Sequence, residues 1–117
     1  MKHTIMLKKN YEFKNVLSKG KYYSAENIEA FILKNNFNYN LLGLAISTKI
    51  GKAVKRNMIK RLIRESYNNT EQSIKLGYSI VFLWKKKADI KNATYNNIKK
   101  DMNIVFDKAE LFLKEEY

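Results

Sequence analysis

The chain's three arginines, Arg56, Arg61 and Arg64, lie within nine residues, interleaved with Asn57 and Lys60, in a protein that otherwise uses lysine. A guanidinium group is a planar donor fork that matches phosphate bidentately and stacks on bases, which an ammonium does not. On a helix Arg56, Lys60 and Arg64 stand at i, i+4 and i+8, rising about 6 Å per step along one side, with Asn57 and Arg61 beside them. Solvated helix faces usually mix signs, because like charges at i, i+4 repel; here only Glu65 breaks the series. The cluster belongs to a wider acid-free window. Between Glu29 and Glu65 there is no Asp or Glu, whereas Lys34, Lys49, Lys52, Lys55, Arg56, Lys60, Arg61 and Arg64 all fall inside it. The chemistry this implies is the binding of a polyanion.

Other chemistry is poorly served. Cysteine is absent, which excludes disulfides, thiolate metal sites and cysteine nucleophiles. His3 is the only histidine, in a stretch expected to fray and with no carboxylate near it in sequence. The acids are scattered, and no group of them resembles a two-metal site. The expectation is therefore no catalytic residue and no metal bound by the protein itself, with any chemistry supplied by a partner.

These residues need a scaffold. The chain has 117 residues, a net charge of +12 and 45% hydrophobic residues, enough apolar surface for one folded domain over residues 1–117. The longest apolar runs, 41–46 and 80–84, fall far short of the roughly 20 residues a membrane span needs, and no secretory signal precedes them. Together with the lack of cysteine, this suits a reducing cytoplasm, where the protein is expected. Residues 9–19 read as a short amphipathic helix carrying Phe13, Val16 and Leu17 and stopped by Gly20. The period then changes to two over 28–33 and 42–46, with an asparagine-rich turn at 35–40 between them and an edge strand around 21–25. Residues 53–68 form the basic helix, with Val54, Met58, Ile59, Leu62 and Ile63 on its apolar half. Tyr78–Trp84 reads as a strand buried on both faces. Thr94 caps a last helix over about 95–114, whose stripe of Ile98, Met102, Val105, Ala109, Phe112 and Leu113 packs on the core. This order is an α+β layer fold with helices covering one sheet. Residues 101–117 are mildly acidic, so the charge is polarised along the chain.

The run from Lys49 through Gly51, Ala53, Val54, Arg56, Asn57, Lys60, Arg61 and Arg64 to Glu65, opened by Ser47, resembles the signature of the protein component of bacterial ribonuclease P. Two positions depart from it: Met58 stands where the family usually has a second arginine, and Thr48 where lysine is common. The resemblance implies a single-domain αβββαβα sandwich, with a central, mostly antiparallel sheet and a left-handed β-α-β crossover through the basic helix. It implies an accessory subunit that binds a catalytic RNA and the 5′ leader of precursor tRNA, with Mg²⁺ used by the RNA and no cofactor held by the protein. Carried over, or adjacent to positions that are, Ser47, Lys49, Lys52, Lys55, Arg56, Asn57, Lys60, Arg61 and Arg64 would contact RNA. Phe13, Leu17 and Phe31 would line the leader cleft, Leu17 replacing a residue that is often aromatic.

A basic structural protein of the ribosome or nucleoid would carry similar charge and is the alternative. A helix-turn-helix DNA reader fits less well, because a strand rather than a short helix precedes residues 53–68.

Overall fold

Strict alternation sends successive side chains of a strand to opposite faces of its sheet, and the computed structural model, which describes residues 1–114, forms one such sheet of five strands. In chain order the elements are β1 (Thr4–Met6), α1 (Asn10–Lys19), β2 (Lys21–Ser24), β3 (Ile28–Lys34), β4 (Asn40–Leu44), α2 (Ala53–Asn68), β5 (Tyr78–Trp84) and α3 (Tyr95–Lys108). Short 3₁₀ turns at Thr48–Ile50, Glu71–Ser73 and Ile90–Asn92 join them. The expected order is present, preceded by one further strand. Across the sheet the strands run β1-β4-β5-β3-β2. The antiparallel pairings, β3 with β5 and β2 with β3, carry the greater paired length, and β4 is parallel to both β1 and β5. Thus α2 is the crossover between the adjacent parallel strands β4 and β5, and α1 links one edge of the sheet to the other.

The two faces have different covers. Ile28, Ala30, Ile32, Leu42, Leu44, Ile80, Phe82 and Trp84 meet Ile59, Ile63 and Tyr67 of α2 and Ile98, Met102, Val105 and Phe106 of α3 in the main core. The opposite face has α1 alone, where Leu7, Val16 and Val81 are buried while Phe13, Leu17, Phe31, Leu33, Leu41, Ala45 and Leu83 stay partly open. One ten-residue helix cannot cover a five-stranded sheet, so an apolar strip remains accessible beside it.

Strand β1 was not expected, being a three-residue edge strand with no alternation to read. It is held by a buried carboxylate: Glu71 accepts hydrogen bonds from the backbone N–H groups of Lys2 (2.9 Å) and His3 (3.3 Å) and from the Thr4 hydroxyl. Thr4 Oγ1 also lies 2.7 Å from the Tyr67 hydroxyl, which accepts from Asn40 Nδ2 at 3.2 Å. Burial pushes the Glu71 carboxyl up, but the bonds from Thr4, Lys2 and His3 outweigh it and leave it below its ordinary value. A lowered folded pKa contributes stability that is complete above the unfolded pKa and is lost as pH falls through the folded one. Glu71→Gln should therefore flatten the acid limb of a stability–pH profile, cost about 1–3 kcal/mol at neutral pH and speed amide exchange in β1.

The last helix ends at Lys108 rather than near 114. Glu110 takes a left-handed conformation (φ 57°), Glu110 N–H bonds to Asp107 C=O and Leu111 N–H to Phe106 C=O, the two bonds of a Schellman stop. Leu111 is then buried, Phe112 pairs with Ile74, and Leu113 is exposed, not packed on the core. Thr94 caps the start as expected, its hydroxyl accepting from Asn97 N–H at 3.2 Å. Glu115 and Glu116 of the acidic tail lie outside the described residues.

Inside α2, Ser66 is fully buried and its hydroxyl has no hydrogen-bond partner among the described residues. An unpaired buried hydroxyl costs about 1–3 kcal/mol, and alanine is the better helix former. Ser66→Ala should leave stability unchanged or raise it by about 1 kcal/mol in urea denaturation.

Candidate nucleic-acid interface

The basic loop and helix leave the sheet at one point. After β4, Ile46 is buried and Ile50 packs on the same core, so the segment between them is pinned at both ends. Ser47 Oγ accepts from Lys49 N–H at 3.2 Å and opens the 3₁₀ turn. Gly51 then adopts φ 155° and ψ −164°, which side-chain-bearing residues rarely take, and delivers the chain into α2 at Lys52.

Of the residues expected to touch RNA, Lys49, Lys52, Lys55, Asn57, Arg61 and Arg64 are exposed, while Ser47, Arg56 and Lys60 are half-buried. The i, i+4 row winds by about 40° per step on an α-helix, so it begins beside the core at Arg56 and reaches open solvent only at Arg64. Arg56 Nη1 donates to Gly51 C=O at 2.6 Å. Its guanidinium thereby braces the loop, a role the residue pattern did not suggest.

Two residues expected on the apolar half of α2 are placed differently. Val54 is 80% exposed, because the first turn of the helix overhangs the core. Met58 is partly buried but lines one shallow groove with Val54, Asn57, Arg61 and Arg64. It sits at the boundary between core and basic surface rather than wholly inside.

On the α1 face, Phe13, Leu17 and Phe31 are brought together in the partly open cluster. Phe13 lies directly over the backbone of β4: a Cβ at Gly43 would stand 2.5 Å from its Cε1 atom. Tyr22, opposite Phe31 in the β2–β3 register, packs its ring 5.3 Å from that of Phe31 and remains 49% exposed. Its hydroxyl donates to Glu29 at 2.5 Å, and that carboxylate pushes the phenol up from its ordinary value. Sequence reasoning passed over Tyr22, although its place two residues before Ser24 in a short extended piece marked it as alternating. Gly43 and Ala45 follow one another on this face, and Ser47 comes next at the exit of β4, so the aromatic strip leads to the basic loop.

Lys85, Lys86 and Lys87 were also passed over. They follow β5, whose end lies beside that of its parallel neighbour β4, so three further cations stand at the end of the sheet from which the basic loop departs. The signal was a lysine run directly after the most apolar strand. Among the described residues no three His, Cys, Asp or Glu side chains gather into a group that could hold a metal ion, and no helix is long and apolar enough to cross a membrane.

A small α+β domain with a basic crossover helix, and an aromatic strip meeting it at one end of the sheet, defines a class of single-domain nucleic-acid-binding proteins. The family model for ribonuclease P matches residues 1–110, and the chain belongs to that family, as an accessory protein subunit of the endoribonuclease. It is 41% identical over 101 residues to the ribonuclease P protein component of Clostridium botulinum strain 657, covering 80% of this chain and 91% of that one. The component from Thermoanaerobacter strain X514 is 35% identical over 112 residues, covering 96% and 95%. Among solved structures, the Staphylococcus aureus ribonuclease P protein superimposes with a TM-score of 0.80 at 28% identity, covering 92% of this chain and 97% of that one. The Thermotoga maritima protein gives 0.77 at 26% identity, covering 86% and 94%.

Proposed function

We propose that the protein binds the ribonuclease P RNA through the loop 47–52 and the outer side of α2, and holds the 5′ leader of precursor tRNA on the strip of Phe13, Leu17, Phe31 and Tyr22. The observation that carries this reading is the meeting of the two surfaces at the exit of β4. Phosphates docked on Lys49 and Lys52 of the loop place the RNA at the end of the strip, where unpaired bases can stack. Stacking contributes about 1–3 kcal/mol per base and tolerates any base, as leaders of differing sequence require. Hydrolysis then belongs to the RNA subunit with its Mg²⁺; the protein lowers the Mg²⁺ needed by neutralising phosphate charge and holding the substrate. The cytoplasm, where precursor tRNA is made in bacteria, is the place of action.

Reconstitution with the RNA subunit at low Mg²⁺ is the test. Cleavage of precursor tRNA should be markedly faster with the protein than without it, and no stimulation would sink the proposal. In binding to the reconstituted complex, Phe31→Ala should weaken precursor tRNA relative to mature tRNA by roughly five-fold or more; equal losses would remove the leader strip while leaving the subunit assignment intact.

A further inference from the structure

Helix α1 crosses the open face of the sheet and leaves a groove on each flank. The leader strip occupies one, with Phe13 and Leu17. The other lies between the Tyr11 side of α1 and the loop 35–39, encloses about 540 Å³, and has a floor that includes Leu7, Val16, Leu33 and Leu41. That volume falls within the range of about 300–1,000 Å³ typical of ligand pockets.

Two aromatic rings stand at the rim of this groove in unusual exposure, Tyr11 at 67% and Phe37 at 51%. Phe37 is held in place. Its ring stacks on that of Tyr39 at 4.9 Å and 12°, and its N–H donates to Asn35 Oδ1 at 2.9 Å. Asn35 in turn bonds through Nδ2 to Ser79 Oγ (3.2 Å) and through its N–H to Gly77 C=O (2.8 Å). An apolar ring fixed half in solvent by a hydrogen-bonded turn is a platform awaiting a flat partner. The amides of Asn15 and Asn36 beside it can donate to and accept from the edge of such a partner. Of the two charged side chains in the lining, Lys34 is exposed and can meet a phosphate, while Glu12 accepts the N–H of Lys9 at the start of α1.

We propose that the groove between Tyr11 and Phe37 binds unpaired bases of RNA, as a second single-strand site separate from the leader strip. The inference rests on the reading that the chain binds RNA, and it adds a contact on the far flank of α1. Bases stack on Phe37 and Tyr11, the asparagine amides meet their edges, and Lys34 neutralises a phosphate.

Fluorescence anisotropy of a short 5′-labelled oligouridylate with the full-length protein tests it. Phe37→Ala and Phe37→Leu should each weaken binding roughly five-fold or more, since leucine keeps the bulk but not the ring, whereas Phe37→Tyr should bind like the wild type. With an oligouridylate long enough to cross α1 and engage both flanks at once, combining Phe37→Ala with Phe31→Ala should multiply the two losses, as expected of two independent contacts within one complex. Urea denaturation of the same variants shows whether the fold is kept; the Leu and Tyr variants preserve the readout if Ala does not fold. In addition, an oligonucleotide carrying 4-thiouridine should photocrosslink to residues 35–39. Wild-type affinity in both Phe37→Leu and Tyr11→Ala, crosslinks confined to the Phe31 strip, or occupation of the groove by an acidic peptide in preference to oligouridylate would each overturn the proposal. The outcome is separable from the subunit reading. If wild-type protein stimulates precursor tRNA cleavage but the Phe37 variants bind RNA normally, only the groove is lost. If cleavage is not stimulated at all, the subunit reading fails, whatever the oligonucleotide shows.

Discussion

Replacing Arg61 and Arg64 together with alanine should weaken binding of the catalytic RNA by roughly 100-fold or more, and lower the salt dependence of that binding. Both side chains are exposed on the outer side of α2 and line one groove along it. A charge-assisted hydrogen bond contributes about 1.5–3 kcal/mol, so two together reach the expected loss. Each phosphate contact also contributes about 0.7–0.9 to the slope of log affinity against log salt. Filter binding over a series of KCl concentrations should therefore show the slope reduced by about 1.4–1.8 in the double variant. Arg56→Ala should behave differently. Its guanidinium is half-buried and donates to Gly51 C=O, so its removal should loosen the loop and reduce affinity with a smaller change in slope. If Arg56→Ala lowers the slope as much as Arg61→Ala does, its guanidinium reaches phosphate and the bracing role is wrong.

That contrast shows what a residue pattern can and cannot convey. The helix 53–68 and the strand 78–84 were legible to the residue, because the helix is an unbroken run of one period between Gly51 and Asn69, and the strand a near-continuous apolar run between Gly77 and the lysines from Lys85. The sorting of arginines between open surface and scaffold was not. A helical wheel treats every position along the axis alike, whereas α2 overhangs the core at its first turn and lies on it later. Val54 is thus exposed on the nominally apolar half, and Arg56 can fold back on the loop. The end of α3 was missed for a related reason. Glutamate at position 110 adopts the conformation usually given to glycine, and the apolar residues beyond it keep a helical spacing by chance while serving a turn and a bridge to Ile74. Strand β1 carried no signal of its own; it pairs with β4 and is tethered by Glu71, far away in sequence, which binds the backbone of Lys2 and His3 just before it and the hydroxyl of Thr4.

The open aromatic strip was named from resemblance, and the structure supplies a reason for one residue within it. Gly43→Ala places a methyl group 2.5 Å from Phe13 Cε1, 3.1 Å from Phe13 Cδ1 and 3.0 Å from Leu7 Cδ1. The backbone of β4 cannot yield, since it is paired on both sides, with β1 and with β5. The ring must therefore lift. Because it is only partly buried, it can do so toward solvent, and the cost to folding should be about 1–3 kcal/mol rather than loss of the fold. The consequence for binding should be selective. A Phe13 ring lifted off β4 leaves its place in the cluster with Leu17 and Phe31, so a base laid along the strip loses part of its stacking surface. Precursor tRNA affinity should fall roughly five-fold or more, while mature tRNA, which lacks the leader, and the catalytic RNA, whose proposed contacts are on α2 and its loop, should bind nearly as before. Phe13→Ala in the Gly43→Ala background separates the two effects. It should restore stability by relieving the clash and leave precursor tRNA binding weak. Recovery of both together would mean that Phe13 only fills space, and that the leader lies elsewhere.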